Sequence, residues 1–420
     1  MKALKRLLQI SWRNVFRNKR RSILTLMILV LGSSGLIVIG GFFENIMEGY
    51  REQFIHSQSG HLQVNRTGYF KKGASAPLDY MMPNAEQVRR EIEGEPHVTF
   101  TVPRLKFGGL ASTDNASIAV LAVGTDAVAE HKMGLAKAAN DDNPSTNIIA
   151  GNDLDPKDTH GVLLGKGLSE ALGVKPGDHV TFLTTRQAGA MDGAEMRVRG
   201  IFETIAKDFD DHAMKMNLAT AQQLLDTPNQ VHSFLVLLDQ TTNTDLVQAN
   251  LKSKFLASNS QLETLSWEEQ GLFYRQSKEM LMKIYSTIQL IICVIFVFSI
   301  ANTINMALFE RIREFGTMMA IGNGRGTIFM TIFSEAGILG LLGSALGITI
   351  GIGLAHLISA IGIEMPPPPQ SSAGYYAMIT VTPKLVAQTF GISMLATMIS
   401  SFFPALRATR FRIVQALGYV

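Results

Sequence analysis

Few side chains in this sequence have the types and spacing that catalysis or metal binding requires. His56 and His61 lie close together in the run HSQSGH, but nothing nearby completes a zinc-like ligand set. We therefore expect both to be solvated or hydrogen-bonded. The single cysteine, Cys293, lies in an apolar run and excludes a disulfide within the chain. No G-x-S-x-G elbow or acid–base carboxylate pair occurs, so the chain is predicted not to be an enzyme and to hold no metal or cofactor itself.

Residues 161–167 (GVLLGKG) resemble a phosphate-binding loop. The Walker pattern requires four residues between its glycines and a serine or threonine after its lysine. Here the glycines are closer together and Gly167 follows Lys166. We expect a simple turn rather than a nucleotide site.

Four long apolar runs of sequence determine how the functional residues of the chain are positioned. A membrane helix needs about 20 mostly apolar residues. The third run contains Glu335 and His356 and the others contain no charged residue; the four runs are residues 22–43, 284–309, 326–363 and 385–406. We predict four transmembrane helices. The third is long enough to be one tilted helix or a span followed by a short broken helix.

The basic residues predict the orientation of these spans. Residues 1–21 are rich in lysine and arginine, and the positive-inside rule assigns such a segment to the cytoplasm. Four crossings return residues 407–420 to the same side, with residues 310–325 as the cytoplasmic connection. A cleaved signal peptide fits poorly, because the apolar run is too long and no A-x-A-like site follows it. Apolar residues at helical spacing predict an amphipathic helix on the inner leaflet: Leu4, Leu7, Leu8, Trp12, Val15 and Phe16.

Residues 44–283 have an ordinary soluble composition and form, by this topology, a large extracytoplasmic α+β domain between helices 1 and 2. Strands are predicted at 117–123, 179–183, 196–202 and 234–238, and helices at 85–93 and 219–225. Residues 141–160 are expected to be a mobile loop or a lobe boundary. A second external loop, 364–384, contains a polyproline segment at 366–369 that should act as a spacer. The net charge is +3, and the lysine and arginine residues cluster beside the apolar runs. This placement indicates contact with lipid headgroups and not with nucleic acid.

Charged and small residues share the cytoplasmic segment after the second span. In residues 307–326 (ALFERIREFGTMMAIGNGRG), Ile312, Phe315 and Met319 mark one face of a short helix. Another face is charged and contains Glu310, Arg311, Arg313 and Glu314. Small residues would permit the close approach of a partner, and these are Gly316, Ala320 and Gly322. Such a helix suits a groove on a partner protein. A solvated loop helix is the alternative.

The third span contains the one acidic side chain within a membrane run, Glu335. An intramembrane carboxylate marks function by default, but Glu335 lies near the cytoplasmic end and its pairing with an arginine is the structural alternative. Glycines follow on related faces and predict close helix packing: Gly337, Gly340, Gly343, Gly347 and Gly351. Because the spans have few polar groups, we expect the substrate route to be external or lipidic.

These residues resemble a known family. The E-x-x-x-E-F-G-x-x-x-A-x-G segment of FtsX-like permeases is matched by Glu310, Glu314, Phe315, Gly316, Ala320 and Gly322. The resemblance extends to residues 13–32, to Glu335 with the glycines behind it, and to residues 404–417. Residues 163–182, 197–204 and 217–225 resemble the MacB-like periplasmic core domain.

The resemblance implies a permease of a bacterial inner membrane, paired with a second copy or a paralogue. A cytoplasmic ABC ATPase dimer, which binds the ATP and Mg²⁺, would dock on the helix around residues 310–322 and move the periplasmic domains by mechanotransmission. The lack of an ATPase in these residues, together with residues 60–70 (GHLQVNRTGYF), resembles the LolC/LolE lipoprotein-release branch. The alternatives are MacB-like efflux of a peptide, toxin or drug with a membrane-fusion partner, and FtsX-like signalling to a cell-wall hydrolase. A lipoprotein or a periplasmic carrier is the further partner expected for release.

Overall fold

The computed structural model describes residues 2–17, 19–73, 77–135, 147–186, 189–204, 206–365 and 375–410. The chain divides into two compact units. The membrane unit comprises Met1–Ile46, Lys278–Ile363 and Ala377–Val420, and the external unit comprises Met47–Ser277 and Glu364–Tyr376.

The membrane unit is helical. It contains α1 (Lys2–Arg17), α11 (Ile312–Ala320), α12 (Arg325–Ile361), α13 (Pro383–Ala408) and most of α2 (Lys19–Phe54) and α10 (Leu272–Glu310). Four helices are long and apolar enough to cross a membrane, at Ser22–Ser59, Tyr274–Glu310, Arg325–Ile361 and Pro383–Ala408. The prediction of four membrane helices, with a large domain between the first and the second, is confirmed. The third run forms one continuous helix, α12, as far as Ile361, and Ile363 already belongs to a short strand.

Helix α12 packs through its glycines. Gly343 and Gly351 lie against Leu29 and Ile37 of α2, where an added Cβ would approach the side chains to 2.6 and 2.9 Å. Gly347 lies against Ser33 of α2, and Gly340 lies against Thr397 of α13. Hydroxyls in this contact donate to carbonyls of their own helix: Ser33 to Leu29, Ser344 to Gly340 and Thr397 to Ser393. We call this contact of α12 with α2 and α13 the α12 seam.

The external unit is built on a ten-stranded mixed sheet. Its strands are β1 (Leu62–Arg66), β2 (Val98–Ser112), β3 (Ser117–Thr125), β4 (Asn147–Gly151), β5 (Gly161–Gly165), β6 (His179–Thr185), β7 (Met191–Glu203), β8 (Ala213–Asn217), β9 (Ser233–Leu238) and β10 (Leu262–Ser266). The order is β10-β1-β9-β2-β3-β8-β5-β7-β4, and β6 pairs with β2 and β7. Strand β3 pairs with β8 in parallel, and β5 pairs with β7 in parallel, whereas the other ladders of the sheet are antiparallel.

Helices cover this sheet: α3 (Ala85–Glu93), α4 (Ala127–Gly134), α5 (Lys166–Leu172), α6 (Lys207–Asp210), α7 (Leu218–Leu225), α8 (Thr244–Ala257) and α9 (Trp267–Gln270). Two short strands, β11 (Ile363–Met365) and β12 (Tyr375–Ala377), pair separately. All the predicted strands fall in β3, β6, β7 and β9, and the predicted helices fall in α3 and α7. The α+β prediction is confirmed.

The turn predicted at residues 161–167 is wrong. These residues form β5, which is fully buried between β7 and β8, and the first residues of α5. Hydrophobic burial of the Val162 to Leu164 run explains the strand. Of the predicted mobile loop, residues 147–151 form β4, whereas residues 141–146 and the polyproline segment 366–369 lie outside the described residues.

Charged side chains are buried within the external unit. Glu130 accepts hydrogen bonds from Arg104 and from Lys215, the latter at 2.7 Å. Burial would raise the pKa of Glu130, but the charges of Arg104 and Lys215 lower it to about 2. Asp210 accepts two hydrogen bonds of 2.8 Å from the amide and the hydroxyl of Thr204, yet its burial raises its pKa to about 6.

Candidate functional site

The segment between α10 and α12 forms a short helix held on the end of the bundle. The chain leaves α10 after Glu310, turns at Arg311, forms α11 and turns again at Gly322, whose φ of 96° favours glycine. Ile312 and Phe315 are buried, and Phe315 packs in one apolar cluster with Leu308, Ile328, Ile332, Ala405 and Ala408. The opposite side of α11 is exposed. We call α11 the coupling helix.

Arg311 ties the coupling helix to α12. Its side chain is buried, and its Nη1 donates to both carboxylate oxygens of Glu335 at 3.1 Å. Its Nε donates to Glu314 at 2.8 Å, and its guanidinium lies 5.2 Å from the centre of the Phe315 ring. Glu335 is thus the partner of an arginine and also accepts a 2.6 Å hydrogen bond from Asn14 of α1. The Glu335 carboxylate is half-buried, and its several donors make this far less costly than leaving it unpaired.

Glu314 joins α1 to the coupling helix. Arg17 donates through Nη2 to both carboxylate oxygens, at 2.7 and 3.0 Å, across 297 positions of sequence. Partial burial would raise the pKa of Glu314, but the hydrogen bond and charge of Arg311, and then Arg17, lower it below its ordinary value. Burial would lower the pKa of Arg311, but the charge of Glu335, and then its hydrogen bonds to Glu314 and Glu335, raise it. Both shifts favour the charged forms of Glu314 and Arg311.

The network borders a small cavity. This cavity has a volume of about 60 Å³, and among its apolar neighbours it is lined by the polar residues Asn14, Ser22, Thr25, Thr303, Arg311 and Glu335. Such a space can hold a few water molecules. The side chains of Arg311 and Glu335 keep 10% and 18% of their exposure, so this ion pair is partly accessible to solvent, which moderates the cost of burying it.

Asn14 and Arg17 are functional candidates that the sequence pattern did not indicate as such. The pattern assigned one apolar face of α1 to the membrane. In the structure this face divides: Val15 and Ser11 are buried, and Ser11 donates to the carbonyl of Thr331 in α12, whereas Trp12 and Phe16 are exposed. The sequence did contain a sign of this protein contact. Ser11, Asn14 and Val15 recur at helical spacing, and a face that only contacts lipid would not require the polar residues among them.

The other residues predicted for coupling divide between the two sides of the helix. Gly316 is buried, so its lack of a side chain suits packing of the coupling helix on the bundle. The exposed members are Glu310, Arg313, Glu314, Ala320 and Gly322. Gly337 lies near Met398 of α13, while Gly340, Gly343 and Gly347 lie in the α12 seam, so these glycines pack within one chain.

The histidines singled out earlier are placed in the external unit. His61 is buried, donates to or accepts from Thr241 at 3.2 Å, and accepts from the Leu238 amide. His56 lies 3.5 Å from a carboxylate oxygen of Glu52. Among the residues that the structure describes, no group of three or more histidine, cysteine, aspartate or glutamate side chains could hold a metal ion.

Comparison with known proteins agrees with this architecture. Residues 22–254 match the MacB-like periplasmic core domain, and residues 286–413 match the FtsX-like permease C-terminal region. An uncharacterized ABC transporter permease of Methanocaldococcus jannaschii is 22% identical over 64% of this chain and 65% of its own length. The macrolide export ATP-binding/permease protein MacB of Acinetobacter baylyi is 29% identical over 37% of this chain and 24% of its own length.

The chain thus matches less than two thirds of the length of either relative. Among solved structures, the periplasmic region of MacB from Actinobacillus actinomycetemcomitans is 12% identical, covers 54% of this chain and 95% of its own, and has a TM-score of 0.36. With four candidate membrane helices and a profile match over more than half of its residues, the chain belongs to the FtsX-like ABC transporter permeases that carry a MacB-like periplasmic core domain.

Proposed function

We propose that this permease works with a separate cytoplasmic ATPase, which docks on the exposed side of the coupling helix and drives movement of the external unit. The observation that carries the proposal is the Arg311 network. It fixes a short helix with an exposed charged ridge to α12 through Glu335 and to α1 through Glu314. A force applied to that ridge reaches two other helices without passing through a flexible loop.

The route from the coupling helix to the external unit follows continuous helices. Helix α12 contacts α2 along the seam, and α2 and α10 each run as one helix from the membrane unit into the residues of the external unit. A helix is stiff along its axis because each residue is fixed by an i to i−4 hydrogen bond. In the proposal, movement of α12 against α2 is passed along α2 as far as Phe54, ahead of β1 in the sequence.

In this proposal the ATP and Mg²⁺ belong to the ATPase dimer, and this chain supplies docking and transmission. Both termini and the coupling helix lie in the cytoplasm, as the distribution of basic residues predicts. A second permease, either a copy or a paralogue, completes the membrane part.

We further propose that the cargo is a lipoprotein or lipid taken from the outer leaflet. Moving one acyl chain of roughly 16 carbons into water costs on the order of 10 kcal/mol at about 0.8 kcal/mol per methylene. Such a step needs both ATP and a sheltering surface, which the external unit can provide. Close glycine packing in the α12 seam leaves little room there for a hydrophilic route through the bundle, which supports external handling of cargo.

Efflux of a peptide, toxin or drug is the second candidate, because relatives of this chain are named macrolide export proteins. It requires a membrane-fusion partner. A third possibility, signalling to a cell-wall hydrolase, requires a hydrolase partner.

The docking proposal is tested with a bulky side chain on the coupling helix. Ala320 is exposed on α11, so Ala320→Trp changes the docking surface and leaves the Arg311 network intact. The matched control is Leu256→Trp, at an 82% exposed position of α8 in the external unit. We expect the tagged parent and the control to copurify with a stoichiometric ATPase in mild detergent, and Ala320→Trp to lose it. Equal ATPase recovery with both variants, or none with the parent, would refute docking at this helix.

Mass spectrometry of the same purification identifies the cargo class. Lipoproteins or a periplasmic carrier with the ATPase support release. A membrane-fusion protein indicates efflux, and a cell-wall hydrolase indicates signalling; either finding overturns the release proposal.

A further inference from the structure

The two sides of α1 face different surroundings. One side is attached to the protein: Ser11 and Val15 are buried, Ser11 bonds α12, and Asn14 bonds Glu335. Away from these contacts Trp12 and Phe16 are each about half exposed, and their rings lie 5.0 Å apart. Large apolar side chains grouped on an exposed helix face indicate a partner surface.

Basic residues lie close in sequence to this aromatic pair. Arg13, Lys19 and Arg20 are exposed, and no acidic residue precedes Glu44 in the sequence. Helix α2, a candidate membrane span, begins at Lys19, so this surface adjoins the segment that enters the bilayer. Aromatic side chains favour the headgroup level of a membrane, and clustered basic residues there attract anionic lipids.

We infer that the exposed side of α1 is a binding surface for anionic phospholipid, and that occupancy of this surface stabilises the position of the coupling helix. The link is Arg17, which belongs to α1 and donates to Glu314 on the coupling helix. Lipid that holds α1 in place also holds Arg17 in reach of Glu314. The inference extends the proposed function, since it adds a lipid-dependent control of the helix to which the ATPase would dock.

The lipid-binding part is tested by tryptophan quenching in the full chain. The sequence contains two tryptophans, so Trp267→Phe leaves Trp12 as the only indole. This variant is reconstituted in phosphatidylcholine with increasing fractions of phosphatidylglycerol, either lipid carrying brominated acyl chains. The quenching gives the relative association constant of the two lipids at Trp12. We expect the association constant of phosphatidylglycerol relative to phosphatidylcholine to exceed one in the parent. This ratio should fall about fivefold for each arginine removed in Arg13→Gln and Arg20→Gln.

The control replaces two exposed lysines of the external unit, Lys157→Gln with Lys252→Gln, which gives the same change of net charge. It should leave the constant unchanged. Raising the salt concentration to about 1 M, where the screening length is roughly 3 Å, should reduce the preference in the parent without any substitution. A constant near one in the parent, an equal loss in the control, or a Trp12 that no brominated lipid quenches would overturn lipid binding by α1.

The transmission part is tested without the ATPase, so its outcome is separate from that of the docking proposal. Hydrogen exchange of residues 312–320 is compared in phosphatidylcholine with and without phosphatidylglycerol. We expect severalfold slower exchange with the anionic lipid in the parent. In Glu314→Gln, which retains the α1 surface, Trp12 should still prefer anionic lipid but exchange should no longer respond. Equal exchange in both lipids for the parent, or an undiminished response in Glu314→Gln, would overturn the transmission.

Discussion

Reversing the charge of Glu314 examines the connection between the coupling helix and the rest of the membrane unit. Glu314→Lys removes hydrogen bonds of 2.7 and 3.0 Å to Arg17 and of 2.8 Å to Arg311, and places an ammonium group between two guanidinium groups. The position is about half exposed, so the new side chain can turn into solvent and the fold should survive.

The cost can be worked out from these contacts. An exposed pair such as Arg17 with Glu314 contributes about 0.2–1 kcal/mol, and the bond from buried Arg311 contributes roughly 1.5–3 kcal/mol. Screening reduces both, and we take about 2 kcal/mol as the total loss of attachment. At 1.4 kcal/mol per tenfold, this lowers the fraction of correctly held coupling helix by roughly 30-fold relative to its displaced form.

The assay is ATP hydrolysis by the reconstituted complex with and without cargo. We expect cargo-stimulated hydrolysis to be lost in Glu314→Lys and partly restored by Arg17→Glu in the same chain, because the pair is then reversed while Arg311 remains repelled. The matched control is Glu86→Lys, an exposed charge reversal on α3 that breaks only a long 3.9 Å pair with Arg89. Normal stimulation in Glu314→Lys, or no difference from Glu86→Lys, would contradict the role assigned to the network.

Two further predictions concern packing and pH. Gly347→Val should destabilise the membrane unit by about 1–3 kcal/mol, because its side chain would meet Ser33 and the carbonyl of Val30. The control Gly353→Val, on the same helix, meets nothing within 4 Å and should be tolerated. Thermal unfolding in detergent measures the stability of both variants, and equal losses of stability would show that the seam is not tight. Asp210 has a folded pKa of about 6 against an ordinary value of 3.8, so the stability it contributes is fully present below about pH 3.8 and is lost as the pH rises through 6. The difference is at most about 3 kcal/mol, and Asp210→Asn should flatten the pH dependence of the external unit's denaturant midpoint between pH 4 and 8; an unchanged slope would show that burial does not shift this carboxyl.

The membrane helices could be predicted because lipid burial demands long apolar runs, and such runs are visible without any knowledge of tertiary contacts. The ends of these helices could not be predicted from the sequence. Hydropathy reports where a helix is apolar, but α2 and α10 continue through polar residues to Phe54 and back to Leu272, since helical hydrogen bonding does not stop at the membrane surface. The strands were recognisable for a similar reason, because alternation or continuous burial leaves a periodic pattern.

The contacts that form the candidate site could not be predicted from the sequence. The segment with Glu310 and Gly322 could be singled out by its composition and by a family pattern, yet the bond from Arg17 to Glu314 joins residues 297 positions apart. Nothing local distinguishes Arg17 from its basic neighbours. The cluster of Arg104, Glu130 and Lys215 was missed likewise, because isolated charges along a sequence suggest solvent exposure and only the fold brings them together in the interior.

The α12 seam has a consequence for how easily the spans can slide. Glycines remove the ridges that would interlock two helices, and the hydroxyls of Ser33, Ser344 and Thr397 satisfy themselves within their own helices. A small shift of α12 along α2 therefore breaks none of these three hydrogen bonds and forces few side chains past one another. Few interlocking side chains therefore oppose sliding between these helices, whereas the ion pairs of Arg311 and Glu314 attach the coupling helix to α12 and to α1.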